Sequence, residues 1–227
     1  MHIDKSKVLR YLGCRNTPDK LTESLMDECV LEIQENESVG YIYKVFDIEV
    51  TTNEVKILNT LIKLSGSDIA KHLSDSIKCA VMAATLGSAI DSRLRYHKKT
   101  DIAKACVFDA CASVAVENIC DYAEGEIRQL AFEKYGLNIT GRYSPGYGNF
   151  PLSTQEHIID LLNASIRIGL TVTENYILIP SKSVTAIIGF ADKKGEKANN
   201  SCEKCNISQS CSYKKGGDYC GHSRTIR

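Results

Sequence analysis

The segment 141–156, GRYSPGYGNFPLSTQE, gathers glycines, prolines, aromatic rings and one arginine into a single connection. Arg142 carries a planar fork of donors that suits a carboxylate, and Tyr143, Tyr147 and Phe150 offer flat faces for a base or a sulfonium. The glycines permit close approach of the backbone to a ligand, and the prolines stiffen its path. Two interpretations follow from the residues alone: a ligand-binding loop, or a glycine-rich turn whose rings, Phe150 among them, fill the core.

The loop does not carry a phosphate-binding signature. Its GYG is followed by Asn, Phe and Pro, and no third glycine opens a helix as in a dinucleotide-binding unit. The sequence also lacks a Walker-type motif. A nucleotide pyrophosphate is therefore excluded as the expected ligand.

Charge and hydropathy exclude two further classes of partner. The 28 basic residues balance the 28 acidic ones, so nothing at the sequence level attracts nucleic acid or an acidic membrane. The longest uncharged apolar stretch, 79–90, is too short to span a bilayer. We therefore expect a cytoplasmic protein with no nucleic-acid or membrane partner.

A second group of reactive residues lies near the C-terminus. Cys202, Cys205, Cys211 and Cys220 form a Cys-x2-Cys-x5-Cys-x8-Cys array after a polar linker. Four thiolates at short spacing suit tetrahedral zinc or an iron–sulfur cluster. The alternative is a tail of reactive thiols without metal.

The cysteines and histidines elsewhere do not have metal-ligand spacing. His72 falls in a predicted helix without a companion ligand, which indicates a core or surface role. Six cysteines lie in apolar or helical patterns and are expected to be reduced thiols: Cys14, Cys29, Cys79, Cys106, Cys111 and Cys120.

Apolar periodicity predicts the elements that must position the loop. Helices are expected over 18–36, from a cap at Ser67 to about 73, over 87–99, from a cap at Thr100 to a stop at Gly136, and from a capping box at 153–156 to Gly169. Strands are expected over 39–50, 77–85, 137–143, 170–179 and 183–190. The run 77–85 is apolar on both sides and predicts a central strand.

These elements predict an α+β domain of long helices packed on a mixed, antiparallel-rich sheet. The expected division is one domain over 1–190, a linker over 191–200 and a Cys-rich tail over 201–227 that holds the possible metal site.

RYSPGYGNFP resembles the Arg-Pro-x-Pro-Gly-Tyr-Pro segment of the S-adenosylmethionine-binding activation domain of cobalamin-dependent methionine synthase. AVENICDYAEGEIRQ resembles the Ala-Glu-rich helix just upstream of it in that family, and LTVTENYILIPSKSVTAIIGF resembles a later family segment. VLRYLGC, DIAKHL and AATLG resemble small stand-alone members. The likeness covers residues 4–190.

The resemblance implies a function. Family members bind S-adenosylmethionine and present its methyl group to a corrinoid whose cobalt has been oxidised to Co(II), while a reductant such as flavodoxin or ferredoxin supplies an electron. Because the chain lacks homocysteine, folate and cobalamin modules, the resemblance implies action in trans on a corrinoid protein, or on a methionine synthase that lacks its own activation domain.

The resemblance also implies site residues. Arg142 would hold the carboxylate of the methionine moiety, Tyr147 and the backbone of Ser144, Pro145 and Gly146 would line the site, and Glu117 would match an acidic ligand-facing helix residue. The alternative for Glu117 is a solvent-facing carboxylate. Gly148 departs from the family, which has a proline after the tyrosine.

Three hypotheses stay open at this stage. The first is a reactivation subunit for a corrinoid-dependent methyltransferase. The second is a metal- or iron–sulfur-bearing redox protein, and the third is a non-enzymatic adaptor for a corrinoid protein. The residues do not decide whether the chain itself is an enzyme.

Overall fold

Eight strands are present in the computed structural model, which describes residues 2–14, 18–36 and 38–192. They are β1 (Gly40–Val50), β2 (Glu54–Ile57), β3 (Lys63–Ser65), β4 (Ser76–Thr85), β5 (Asn138–Ile139), β6 (Thr171–Val172), β7 (Leu178–Ile179) and β8 (Ser183–Ala191). Six of them form one sheet in the order β3-β2-β1-β4-β8-β5, in which every pairing is antiparallel. The strands β6 and β7 form a separate antiparallel pair.

Helices cover both faces of this sheet. They are α1 (Lys5–Tyr11), α2 (Lys20–Gln34), α3 (Ser67–His72), α4 (Ser88–Thr100), α5 (Ile102–Tyr135), α6 (Thr154–Leu162) and α7 (Ala164–Ile168). One core contains α1, α2, α4 and α5, and the other contains α3, α6 and α7. The predicted α+β class is confirmed, with a sheet that is antiparallel throughout its described pairings.

Strand β4 separates the two cores, as its apolar run predicts. Ala80 and Met82 enter the core under α5, whereas Cys79 and Val81 enter the core on the α3 and α6 side. All four are fully buried. Successive side chains of a strand point to opposite faces, so one strand serves both cores.

Helix α5 runs 34 residues, and small side chains line its buried side. Gly136 ends it in the left-handed conformation, as predicted. The predicted cap at Thr100 is wrong: Asp101 is the N-cap, and its carboxylate accepts a hydrogen bond from the amide of Lys104 at 3.0 Å. Thr100 ends α4 instead, where its hydroxyl donates to the carbonyl of Tyr96.

The predicted capping box at 153–156 is also wrong. Ser153 has helical backbone angles and makes no capping hydrogen bond with its side chain. The amides of Thr154 and Gln155 donate instead to the carbonyls of Pro151 and Leu152, so a preceding turn already satisfies them. The helix predicted to reach Gly169 is interrupted at Asn163, which has a left-handed conformation with φ of 55°.

Other boundaries differ in smaller ways. The cap of α3 is Gly66, and Ser67 is the first helical residue. The strand predicted over 170–179 is the β6–β7 pair around a turn with Tyr176 at φ of 60°. Helix α1 and strands β2 and β3 were not predicted, because seven, four and three residues are too few for a period to emerge.

The described cysteines carry no disulfide, which agrees with the expectation of reduced thiols. Cys14 and Cys106 are exposed and the other four are buried. Among the described residues, no helix is both long enough and apolar enough to cross a membrane.

Two glycines give a matched test of core packing. A methyl group on Gly189 would overlap the hydroxyl of Ser76 and lie 2.6 Å from Cδ2 of Leu73, whereas one on Gly125, which is exposed on α5, would touch nothing within 4 Å. We expect Gly189→Ala to lower the free energy of unfolding by about 1–3 kcal/mol. Gly125→Ala should raise it by about 0.5–1 kcal/mol, since alanine favours a helix. Urea unfolding measures both; equal effects would contradict this packing.

Candidate functional site

Arg142 and Tyr143 lie where the chain leaves β5 and runs alongside β8. Tyr143 exchanges two backbone hydrogen bonds of 2.9 Å with Ile187 of β8. Neighbouring residues of an extended chain point to opposite faces. The side chain of Arg142 accordingly reaches α5, and the ring of Tyr143 packs in the core on the α3 side.

The guanidinium of Arg142 meets a row of carboxylates on α5. Its Nη2 lies 3.1 Å from Oε2 of Glu117 and 2.9 Å from Oδ1 of Asp121, and its Nη1 lies 3.5 Å from Oε2 of Glu124. Residues spaced by four and then three lie on one face of a helix, so the three carboxylates lie on successive turns of one face of α5. We call Arg142 with these three carboxylates the arginine cluster.

Burial makes this cluster electrostatically strong. The side chain of Arg142 is only 13% exposed. Burial acts to lower its pKa, but the electrostatic effects of Cys120, Asp121, Glu117 and Glu124 together outweigh burial and raise it, so the guanidinium stays charged. Burial raises the pKa of the adjacent Cys120 thiol to about 12, and that thiol therefore stays neutral.

The arginine cluster has negative charge in excess and one donor to spare. Glu124 also pairs with Arg128 at 2.7 Å, which still leaves three carboxylates facing two guanidinium groups. The Nη1 atom of Arg142 is buried and makes no hydrogen bond, although it lies 3.5 Å from Oε2 of Glu124 in an ion pair. A buried donor without a partner is uncommon and points to a missing acceptor.

The remaining predicted residues follow Arg142 along the loop. Ser144 is half-buried, Pro145 is buried, and Gly146 and Tyr147 are exposed. The loop is braced from within, since the amide of Gly146 donates to the carbonyl of Phe150 at 2.8 Å. Tyr147 is 66% exposed, so its ring is open to a ligand.

The aromatic ring of Phe150 is buried in the core and does not face solvent. It is 1% exposed and belongs to the core on the α3 side. Its ring therefore fills the core, and the idea that it offers a face to a ligand is wrong. The core-filling interpretation therefore holds for Phe150, and the ligand-binding role of Tyr147 stays a prediction.

The structure thus joins two of the predicted site residues directly, Glu117 and Arg142. It adds Asp121 and Glu124, which sequence reasoning missed although their spacing from Glu117 marks them as one helix face. Among the described residues, no group of three or more His, Cys, Asp or Glu side chains is arranged so that it could hold a metal ion. The four tail cysteines, 202 to 220, lie outside them, and their metal site stays a prediction.

His72 holds the start of the loop. Its Nε2 lies 2.9 Å from the carbonyl oxygen of Gly141 and 3.0 Å from the hydroxyl of Thr140. A carbonyl only accepts, so Nε2 carries the hydrogen. Burial lowers the pKa of His72, and the hydrogen bond to Gly141 opposes this only in part. The side chain of His72 is half-buried, between the core and surface roles that the sequence left open.

The fold of the sheet with its two helical layers is one already seen in a solved structure. The crystal structure of the MetH reactivation domain bound to AdoHcy matches with a TM-score of 0.60 and 14% sequence identity, over 82% of this chain and 73% of that one. At this identity the match establishes the fold alone. The search of curated proteins returned no match.

The sequence itself supplies the family. Residues 58–216 match the model of the vitamin B12-dependent methionine synthase activation domain. This range is well over half of the chain and includes α5, the loop and the arginine cluster. The chain belongs to that family, and the resemblance noted from RYSPGYGNFP is confirmed.

The neutral state of His72 predicts a pH dependence. In the unfolded chain this histidine titrates near its usual pKa of about 6.5, whereas its pKa in the folded protein is lower. The unfolded state then binds more protons below about pH 6.5, so stability should fall as pH drops through that range. His72→Gln, which keeps a donor for Gly141, should show a weaker fall.

Thermal or urea unfolding between pH 5 and 8 checks this expectation. His157→Gln is the control, because His157 is exposed and lies outside the loop contacts. An unchanged pH profile in His72→Gln would contradict a buried neutral imidazole.

Proposed function

We propose that the chain binds S-adenosylmethionine at the arginine cluster and the loop 141–151, and that it acts in trans as the reactivation subunit of a corrinoid-dependent methyltransferase such as methionine synthase. The observation that carries the proposal is the contact of Arg142 with Glu117 at 3.1 Å. These two residues are 25 positions apart, and the family resemblance had already implied that both bind the ligand.

The charges of the cluster suit the amino-acid end of this ligand. S-adenosylmethionine carries a carboxylate, an ammonium group and a sulfonium cation. The planar guanidinium of Arg142 suits the carboxylate, and the excess negative charge of the α5 row favours the two cations. The exposed ring of Tyr147 offers π-density to the sulfonium.

The rest of the loop would line the site. The backbone of Ser144, Pro145 and Gly146 lies between the buried arginine and the exposed tyrosine. A backbone held by internal hydrogen bonds loses little entropy when a ligand binds, which favours affinity. A solved structure of similar fold, the MetH reactivation domain, is bound to AdoHcy, the demethylated form of the same compound.

In the proposed reaction the cobalt is carried by the partner. A reductant such as flavodoxin or ferredoxin supplies one electron to the Co(II) corrinoid, the methyl group passes from sulfur to cobalt, and S-adenosylhomocysteine leaves. The chain contributes binding and orientation of the methyl donor. The exposed surface beside the loop is where we place the corrinoid protein.

The proposed division of labour follows the predicted domains. Residues 1–190 would bind the methyl donor and the corrinoid partner, 191–200 would be a linker, and 201–227 would hold zinc or an iron–sulfur cluster on its four cysteines.

Calorimetric titration with S-adenosylmethionine tests the ligand. We expect saturable one-site binding, and at least tenfold weaker binding in Arg142→Ala. A charge-assisted hydrogen bond contributes about 1.5–3 kcal/mol, and each 1.4 kcal/mol is about a factor of ten in Kd. Arg142→Lys should recover part of the affinity, since it keeps the charge without the planar fork.

Arg95→Ala is the matched control, because Arg95 is an exposed arginine of α4 outside the arginine cluster. It should bind like the wild-type chain. Melting curves of all variants identify any loss of affinity that comes from unfolding. No binding by the wild-type chain at millimolar ligand would reject the proposal.

Metal analysis tests the tail. Anaerobically purified chain should contain either zinc, or iron with sulfide, and the Cys202→Ser/Cys205→Ser variant should lose it. Cys14→Ser/Cys106→Ser, which changes the two exposed cysteines of the described part, should retain it. Wild-type protein without zinc, iron or sulfide would reject a metal site.

A further inference from the structure

The far end of the binding loop is fastened to the beginning of α3. The amide of Asn149 donates to Oδ2 of Asp68 at 3.0 Å, and the amide of Asp68 donates to Oδ1 of Asn149 at 3.0 Å. The side-chain amide of Asn149 donates to the hydroxyl of Ser67 at 2.8 Å. These reciprocal hydrogen bonds form a closed ring, which we call the Asp68–Asn149 clamp.

The other end of α3 holds the near end of the same loop. His72 binds the carbonyl of Gly141, and its ring lies 4.9 Å from the ring of Tyr143. One short helix therefore fixes both ends of the segment 141–149. The groups proposed to bind the ligand, Arg142 and Tyr147, lie between these two attachments.

Glycine at position 148 is required by this clamp. Gly148 has φ of 52°, and a methyl group on it would overlap the carboxylate of Asp68 and lie 2.9 Å from the hydroxyl of Tyr143. The family segment that this loop resembles has a proline here, and proline fixes φ at about −65°. A proline therefore cannot adopt the conformation that this loop has.

The clamp compensates for the absence of a proline ring at position 148. A proline would stiffen the loop through its own covalent structure, whereas Gly148 adds backbone freedom. Three hydrogen bonds from a neighbouring element restrict the same stretch from outside. Gly66 completes the fit, since a methyl group on it would lie 2.8 Å from Oδ1 of Asn149.

We propose that Asp68 and Asn149 are positioning residues for ligand binding, which hold Tyr147 and the backbone before it in the geometry that receives the methyl donor. This role rests on the proposed function, because the ligand is S-adenosylmethionine. Neither residue touches the arginine cluster, so both act through the loop.

Three variants test the clamp: Asn149→Ala, Asp68→Ala and the exchange Asp68→Asn/Asn149→Asp. The exchange keeps the net charge and both backbone-to-side-chain hydrogen bonds. It replaces the amide that donates to Ser67 with a carboxylate oxygen that can accept from the Ser67 hydroxyl. We expect about tenfold weaker binding of S-adenosylmethionine in each alanine variant, and affinity close to wild type in the exchange. Calorimetry measures affinity.

Hydrogen exchange of the peptide that spans 141–150 gives a second readout. Hydrogen exchange in this peptide should be faster in the alanine variants, because the clamp restricts local opening. It should return to the wild-type rate in the Asp68→Asn/Asn149→Asp variant. A residue needed only for overall stability would instead alter hydrogen exchange throughout the chain.

The outcomes separate this inference from the proposed function. Wild-type affinity in both alanine variants overturns the positioning role while leaving the proposed function intact. Weak binding that the Asp68→Asn/Asn149→Asp exchange does not restore also overturns it. Absence of binding by the wild-type chain rejects the proposed function and, with it, any role of the clamp toward this ligand.

Discussion

A guanidinium that has lost most of its water must find hydrogen-bond acceptors inside the protein, and Arg142 finds them on one helix. This requirement fixes the loop against α5 and demands that α5 continue unbroken through the stripe from Glu117 to Glu124. Because backbone alternation sends Tyr143 the opposite way, the sheet separates a charged side from an aromatic side. The charged cluster and the aromatic core packing thus share one short segment without competing for space.

Elements with strong local signals could be predicted from sequence. The glycine stop of α5 and the two-sided burial of β4 are properties of consecutive residues, and both are confirmed. Helix caps were harder to predict. At the junction of α4 and α5, Thr100 and Asp101 are adjacent and both are good capping residues. At Ser153 the local pattern was right for a cap, but a preceding turn had already satisfied the amides.

The sequence could predict site residues that share one element or one family motif, but not contacts between distant segments. Arg142 and Glu117 came from a family resemblance, and the spacing along α5 could have supplied Asp121 and Glu124. The contact between Asp68 and Asn149 could not be predicted from spacing, since 81 residues separate them. Their contact depends on how β4 and β8 pair, and that register is a property of the whole sheet.

The sheet has long strands at its centre and very short ones at its margins. The edge strand β3 has three residues and the opposite edge strand β5 has two, whereas β1, β4 and β8 have nine or more. An edge strand exposes backbone donors and acceptors that can recruit a strand from another molecule, and short, charged edges reduce that risk. Lys63 adds a charge at the β3 edge. A fold with this outline guards against edge-to-edge aggregation even though its central strands are long and apolar.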